Sequence, residues 1–187
     1  WLDGRNPDYA KGLGLLHFLV GDDEEAVRCL QFSLQIRQND AQSHGILGQA
    51  MARQGLANMA ISSFQKALEL DQSNHIVHLY LARALATAGR HGEAVQSFRK
   101  FASRLSSRDE ALYLAHTQVE MGNSYLAGGQ VARAAEVFQL ALKTNPKDAK
   151  ALHGLAKVAM EKRDWSEAKE KLARALQVEP KNREFLI

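Results

Sequence analysis

The chain is 187 residues long, with 45% hydrophobic and 24% charged residues, a composition that supports a folded core and argues against disorder. Its formal charge of +3 is mild, and acids interrupt the basic stretches, so a nucleic-acid surface is not expected. The single cysteine, Cys29, excludes an internal disulfide and a cysteine-based zinc site, and no apolar run approaches the ~18 residues that a bilayer span needs.

The first residues, Trp1 to Pro7, contain no apolar signal-peptide core and no initiator Met. A piece excised from a longer or processed chain is therefore expected, with the cytoplasm as the default compartment. From Pro7 onward the chain repeats itself. Ala10, Leu13, Gly14 and His17 recur at helical spacing, Gly21 breaks the run, and Ala26, Leu30 and Ser33 give a second helix its stripe. The acids Asp22 to Glu25 fall in the first turn of that second helix, where exposed amides and the helix dipole favour them.

A shift of 34 residues finds Leu47, Gly48, Met51, Gly55, Ala60, Phe64 and Ala67 in the same slots. A second shift finds Leu81, Ala82, Leu85, Gly89, Ala94, Phe98 and Phe101. A fixed period of this length marks a stack of like units. The repeats are 7–40, 41–74 and 75–108. The next turn glycine, Gly129, arrives 40 residues after Gly89, so six residues have been added, best placed at 109–114. Ser107 and Glu110 form a capping-box pattern that starts a lengthened helix of about 20 residues there, with Ala111, Leu112, Leu114 and Ala115 apolar enough to bury the extra turns; a longer loop is the alternative. Repeats 115–148 and 149–182 follow in phase, with Arg163 standing where the turn glycine belongs, and 183–187 reads as the start of one more helix.

One slot of each first helix is Gly or Ala (Gly14, Gly48, Ala82, Gly122, Ala156), and its second-helix counterpart is always Ala (Ala26, Ala60, Ala94, Ala134, Ala168). Small residues on both sides let two helices cross closely. Glycine inside a helix costs roughly 1 kcal/mol against Ala, so its recurrence indicates that close packing outweighs propensity.

This pattern resembles the tetratricopeptide repeat, over five units from Pro7 to Asn182. The resemblance implies an all-α, right-handed superhelical solenoid of antiparallel helix pairs, with 1–187 forming a single array. It also implies a concave surface lined by first helices that holds a partner's extended peptide or helix. Two departures stand out. The family's Trp-like slot holds Ala10, His44, His78, Gln118 and Leu152, and the six-residue insertion interrupts the period. On the face opposite the second helices lie Lys11, Leu15 and Phe18; Ile46, Gln49 and Arg53; Leu79, Tyr80 and Arg83; Val119, Glu120 and Asn123; and His153, Lys157 and Glu161. The candidate partner-binding set is Gln49, Arg53, Leu79, Tyr80, Arg83, Val119, Asn123, His153 and Lys157. No window of three units supplies the Lys/Asn/Asn/Lys/Arg clamp by which some members grip acidic chaperone tails.

Residues 41–108 carry 8 Lys and Arg against 3 Asp and Glu, while 1–40 carry 4 against 7. Arg53 and Arg83 lie in that basic band. The expected partner is therefore a protein or peptide offering carboxylates beside an apolar anchor. Self-association through the ends of the array, making a homo-oligomeric assembly scaffold, is the alternative, and RNA binding by a helical repeat ranks below both. Seven histidines invite a metal reading, but His44 and His78 occupy a packing slot and no thiol or carboxylate completes a set. No phosphate loop, nucleophile elbow or HExxH pattern occurs, so neither catalysis nor a cofactor is expected.

Overall fold

The computed structural model describes residues 6–105 and 110–185. Within them lie ten α-helices: α1 (Pro7–Val20), α2 (Asp23–Ile36), α3 (Ala41–Arg53), α4 (Ala57–Leu70), α5 (His75–Thr87), α6 (His91–Ala102), α7 (Ala111–Ala127), α8 (Val131–Thr144), α9 (Ala149–Glu161) and α10 (Trp165–Val178). A 3-10 turn, Arg183–Phe185, follows, and no strand occurs among the described residues.

The helices begin and end where the chemistry dictates. Asn6 caps α1 by accepting the Asp8 N–H, with Pro7 at the first helical position, where a missing N–H costs nothing. Asp22, Asp40, Asp148 and Asp164 accept first-turn amides of α2, α3, α9 and α10. The turns between paired helices require a left-handed residue, and Gly21, Gly55, Gly89 and Gly129 supply it with φ of 88°, 78°, 75° and 74°. In the last repeat Arg163 takes the same conformation at φ 60°. The phase of the sequence repeat is thus the phase of the backbone.

The described chain divides into two compact units, Trp1–Arg90 and His91–Ile187. The division falls within the third 34-residue repeat, between α5 and α6. In the first unit α1 packs on α2, α2 on α3, α3 on α4 and α4 on α5; in the second, α6 packs on α7, α7 on α8, α8 on α9 and α9 on α10. The small slots act as expected. A Cβ on Gly14 would meet Leu30 Cγ at 2.8 Å, one on Gly48 would meet Phe64 at 2.6 Å, and one on Gly122 would meet Phe138 at 2.6 Å. Phe64, Phe98 and Phe138 are the large buried side chains of the second helices, and Ala26, Ala60, Ala94 and Ala134 beside them have no exposed surface.

The lengthened helix is α7, with 17 residues against 13 for α3, α5 and α9. Its first residue is Ala111, and Glu110 makes no side-chain cap. Ser107, the other half of the expected capping box, lies outside the described residues. The added turn buries its apolar side chains only in part: Ala115 is buried and Ala111 and Leu114 are half-buried, but Leu112 is 68% exposed.

Candidate functional site

Each first helix carries a stripe at i, i+4 spacing: Gly45 and Gln49 on α3, Leu79 and Arg83 on α5, Val119 and Asn123 on α7, His153 and Lys157 on α9. Residues four apart share a helix face, so each pair forms one row. The N-terminal member of each row is closed off. Leu79, Val119 and His153 are buried, whereas Arg83 is half-buried and Asn123 and Lys157 are exposed. Two contacts show what closes that end: the Cβ position of Gly45 is 3.9 Å from Val77, and the His153 ring is 4.8 Å from that of Phe185. The start of α5 lies over the α3 row, and the turn after α10 lies over the α9 row. The open stripe is therefore narrower than the sequence suggests, and Leu79, Val119 and His153 present packing rather than free surface.

Four of the nine candidates converge. Gln49, Arg53, Tyr80 and Arg83 line a cleft of about 420 Å³ in the first unit, together with Phe18, Ala52, Ala57, Phe64, Ala84 and Thr87. Phe64 anchors its wall, seated where Gly48 lacks a side chain. Tyr80 stacks on it, ring centroids 6.0 Å apart and planes at 19°, within the range in which aromatic pairs attract. Ala52 and Ala84 leave room between the two first helices because they end at Cβ.

The two guanidiniums differ in their surroundings. Arg53 reaches back to α1 and α2: its Nε donates to Asp23 Oδ1 at 2.8 Å, its Nη2 donates to the Phe18 carbonyl at 2.7 Å and to Asp23, and its Cζ lies 3.9 Å above the centre of the Phe18 ring. Its charge is balanced and its plane fixed. Arg83 stands on α5 beside Tyr80, one turn from Thr87, whose hydroxyl donates to the Arg83 carbonyl at 3.0 Å. Gln49 bonds only marginally along its own helix, Nε2 to the Gly45 carbonyl at 3.5 Å, so its amide is available to an incoming chain. The lining includes no carboxylate. It is an apolar slot with a positive and hydrogen-bonding rim, suited to a side chain next to a carboxylate and carrying no nucleophile–base pair.

Sequence reading alone leaves Phe64, Ala57, Ala84 and Thr87 out of this site. Phe64 reads as core from its slot and is core, with no exposed surface, backing Tyr80 from within. Asn123, His153 and Lys157 belong to the second unit. The histidines of the Trp-like slot are structural where their partners are visible: His44 Nε2 donates to the Gln38 carbonyl at 3.0 Å. Among the described residues no group of three or more His, Cys, Asp or Glu is arranged to hold a metal ion, and no helix is long and apolar enough to cross a membrane.

Family models described as tetratricopeptide repeat match residues 47–110 and 125–186, about two thirds of the chain together. No curated protein matches it at the level of sequence. Among solved structures, MamA (41 to end) from Desulfovibrio magneticus RS-1 superposes with a TM-score of 0.82 at 20% identity, over 96% of this chain and 98% of that one. YrrB, described as a TPR protein with an unusual peptide-binding site, gives 0.81 at 17% identity, over 98% and 92%. PilF of Pseudomonas aeruginosa gives 0.71 at 22% identity, over 96% and 79%. At these identities the likeness is one of fold.

Proposed function

The chain belongs to the tetratricopeptide-repeat family, an all-α helical-repeat scaffold for protein–protein contacts, and we propose that it takes its partner in the cleft of the first unit. The observation that carries this is the convergence of Tyr80, Phe64, Gln49 and Arg83 on one slot between α3 and α5. The partner is a peptide or helical segment that buries one apolar side chain against Tyr80 and Phe18, with Phe64 backing Tyr80 from the core. A neighbouring carboxylate meets Arg83, and its backbone finds the Gln49 amide. Arg53 has a fixed place in the rim. Held by Asp23 and Phe18, it stiffens the rim and adds field rather than a direct grip. The peptide-binding site of YrrB supports a like use of this fold, while the residues at work are those of this chain. No catalytic step is assigned to it.

The test is affinity for a panel of peptides pairing an aromatic or branched residue with one or two acids. Arg83→Glu lowers affinity about ten-fold or more, equivalent to roughly 1.4 kcal/mol. Arg53→Ala lowers it less, and affinity falls as salt rises, because exposed charges are screened beyond about 8–10 Å. Arg83→Glu leaving every peptide's affinity unchanged refutes the reading.

A second reading, self-association into a homo-oligomer, draws on α1. Leu16, Leu19 and Val20 there are 56%, 70% and 71% exposed, apolar surface of the kind that marks contact sites. Light scattering that stays monomeric across a hundred-fold concentration series (about 5 to 500 μM, bracketing a weak Kd) removes it.

A further inference from the structure

The second unit ends in a contact that the cleft does not use. Asn182 stands where Asp40 and Asp148 cap α3 and α9, and it starts a single 3-10 turn by accepting the Glu184 N–H at 3.0 Å. Its own Nδ2 donates to Glu179 at 2.7 Å, tying the turn to the end of α10. The turn lays Phe185 on Ala149, Leu152 and Ala175, where it is 2% exposed. The Phe185 ring also lies across His153, centroids 4.8 Å apart and planes at 53°. His153 is 8% exposed, and its buried Nε2 has no hydrogen-bond partner.

A neutral imidazole tolerates that position, since an unpaired ring nitrogen forfeits one hydrogen bond. An imidazolium does not, because both nitrogens become donors and an unpaired buried charge costs far more than an unpaired dipole. We propose that the turn Arg183–Phe185 is a proton-sensitive latch, closed on α9 while His153 is neutral and released when His153 takes up a proton. Release bares Leu152 and the His153 end of the α9 row, so acid opens a first-helix surface that neutral pH keeps covered.

The charges around the ring fix the direction. Burial holds the imidazole below its ordinary 6.5, Lys157 one turn along α9 pushes the same way, and Glu184 on the turn itself opposes them. Of the other helices packed against α9, α7 carries His116 facing Glu120 at 3.4 Å, and α8 carries Arg133, bonded to Gln130 at 2.8 Å, with Glu136 and Lys143. The third, α10, carries Lys171 and Arg174 beside Glu170 at 3.2 and 3.7 Å, with Glu167 and Lys169. The released state titrates near the ordinary value and the docked state lower. Docking is therefore at full strength above about pH 6.5 and weakens as pH falls through the interval between the two values. The latch lies wholly in the second unit and does not depend on the cleft.

NMR on the 187-residue chain between pH 8 and 5 tests this, following the His153 ring protons and the Phe185 amide and ring. The latch predicts that both titrate with one shared midpoint below 6.5, while the helices stay folded. His153→Phe keeps Phe185 docked to pH 5, and Phe185→Ala raises the His153 midpoint toward 6.5. Phe185 holding its docked shifts while His153 titrates overturns the proposal, as does the same Phe185 transition in His153→Phe. Should His153→Phe fail to fold, Phe185→Ala decides: an unchanged His153 midpoint refutes the latch.

Discussion

Phe64 and Phe138 fill the same slot of the repeat, and neither has exposed surface, yet their surroundings differ on one side. Behind each ring stands a glycine of its own pair, Gly48 or Gly122, whose Cβ would come within 2.6 Å of it. In front of Phe64 is Tyr80; in front of Phe138, at the same 74-residue shift, is Gly154. A Cβ on Gly154 would lie 2.4 Å from the Phe138 ring, so the α9 backbone itself closes on the phenylalanine. In the first unit the Tyr80 ring stacks on Phe64 instead and itself lines the cleft. One side chain at one slot thus separates the two surroundings.

The strongest way to break this comparison is to exchange the two residues. Gly154→Tyr forces a ring into space that the α9 backbone occupies and should destabilise the second unit by about 3 kcal/mol, the upper end of core overpacking. Chemical denaturation measures it, and a loss under ~1 kcal/mol means that α9 has room to withdraw. Gly48→Leu tests the other side of Phe64. We expect it to cost roughly 2 kcal/mol, whereas Gln49→Ala next to it stays within about 0.5 kcal/mol. Equal midpoints for these two variants would place the helix crossing on a different face.

Tyr80→Ala separates wall from core. Losing the stack costs about 1 kcal/mol of stability, while peptide affinity in the cleft should fall at least about ten-fold, near 1.4 kcal/mol. A stability loss without an affinity loss makes Tyr80 a spacer only. The smallest effect concerns the irregular turn. Arg163 at φ 60° pays for a conformation that glycine adopts freely, so Arg163→Gly should stabilise by about 0.5–1 kcal/mol after the glycine's extra unfolded-state entropy is counted. A lowered midpoint would show that the arginine side chain makes a compensating contact.

The repeat was legible in the sequence because its signals are local. Turn glycines, Asp caps and the Gly/Ala crossing slots each answer to one backbone constraint, and the helices fell in the expected phase; the lengthened helix starts at Ala111 and is shorter than the capping-box pattern suggests. The site was legible only in part. Tyr80 and Arg83, three residues apart on α5, and Gln49 on α3 could be picked out because helical spacing sets them on the side away from the second helices. Leu79, Val119 and His153 looked equivalent, but what covers a row comes from the next helix, Val77 over Gly45 or Phe185 over His153, and spacing within one helix does not encode that. The charge count singled out Arg53, although Asp23 from another repeat balances it. The Phe138–Gly154 approach was invisible for the same reason: it joins two repeats where Gly154 has no side chain.

The central claim is that the Tyr80–Arg83 cleft, rather than any second-helix surface, receives the partner. The most direct measurement is an amide chemical-shift map of the 187-residue chain titrated with the tightest peptide of the panel, repeated with Tyr80→Ala. The account predicts shifts gathered on α3 and α5 around Gln49, Ala52, Tyr80, Arg83 and Thr87, absent from the solvent faces of α2 and α8, and lost in the variant. Shifts concentrated on second-helix faces, or an unchanged map in Tyr80→Ala, would contradict it.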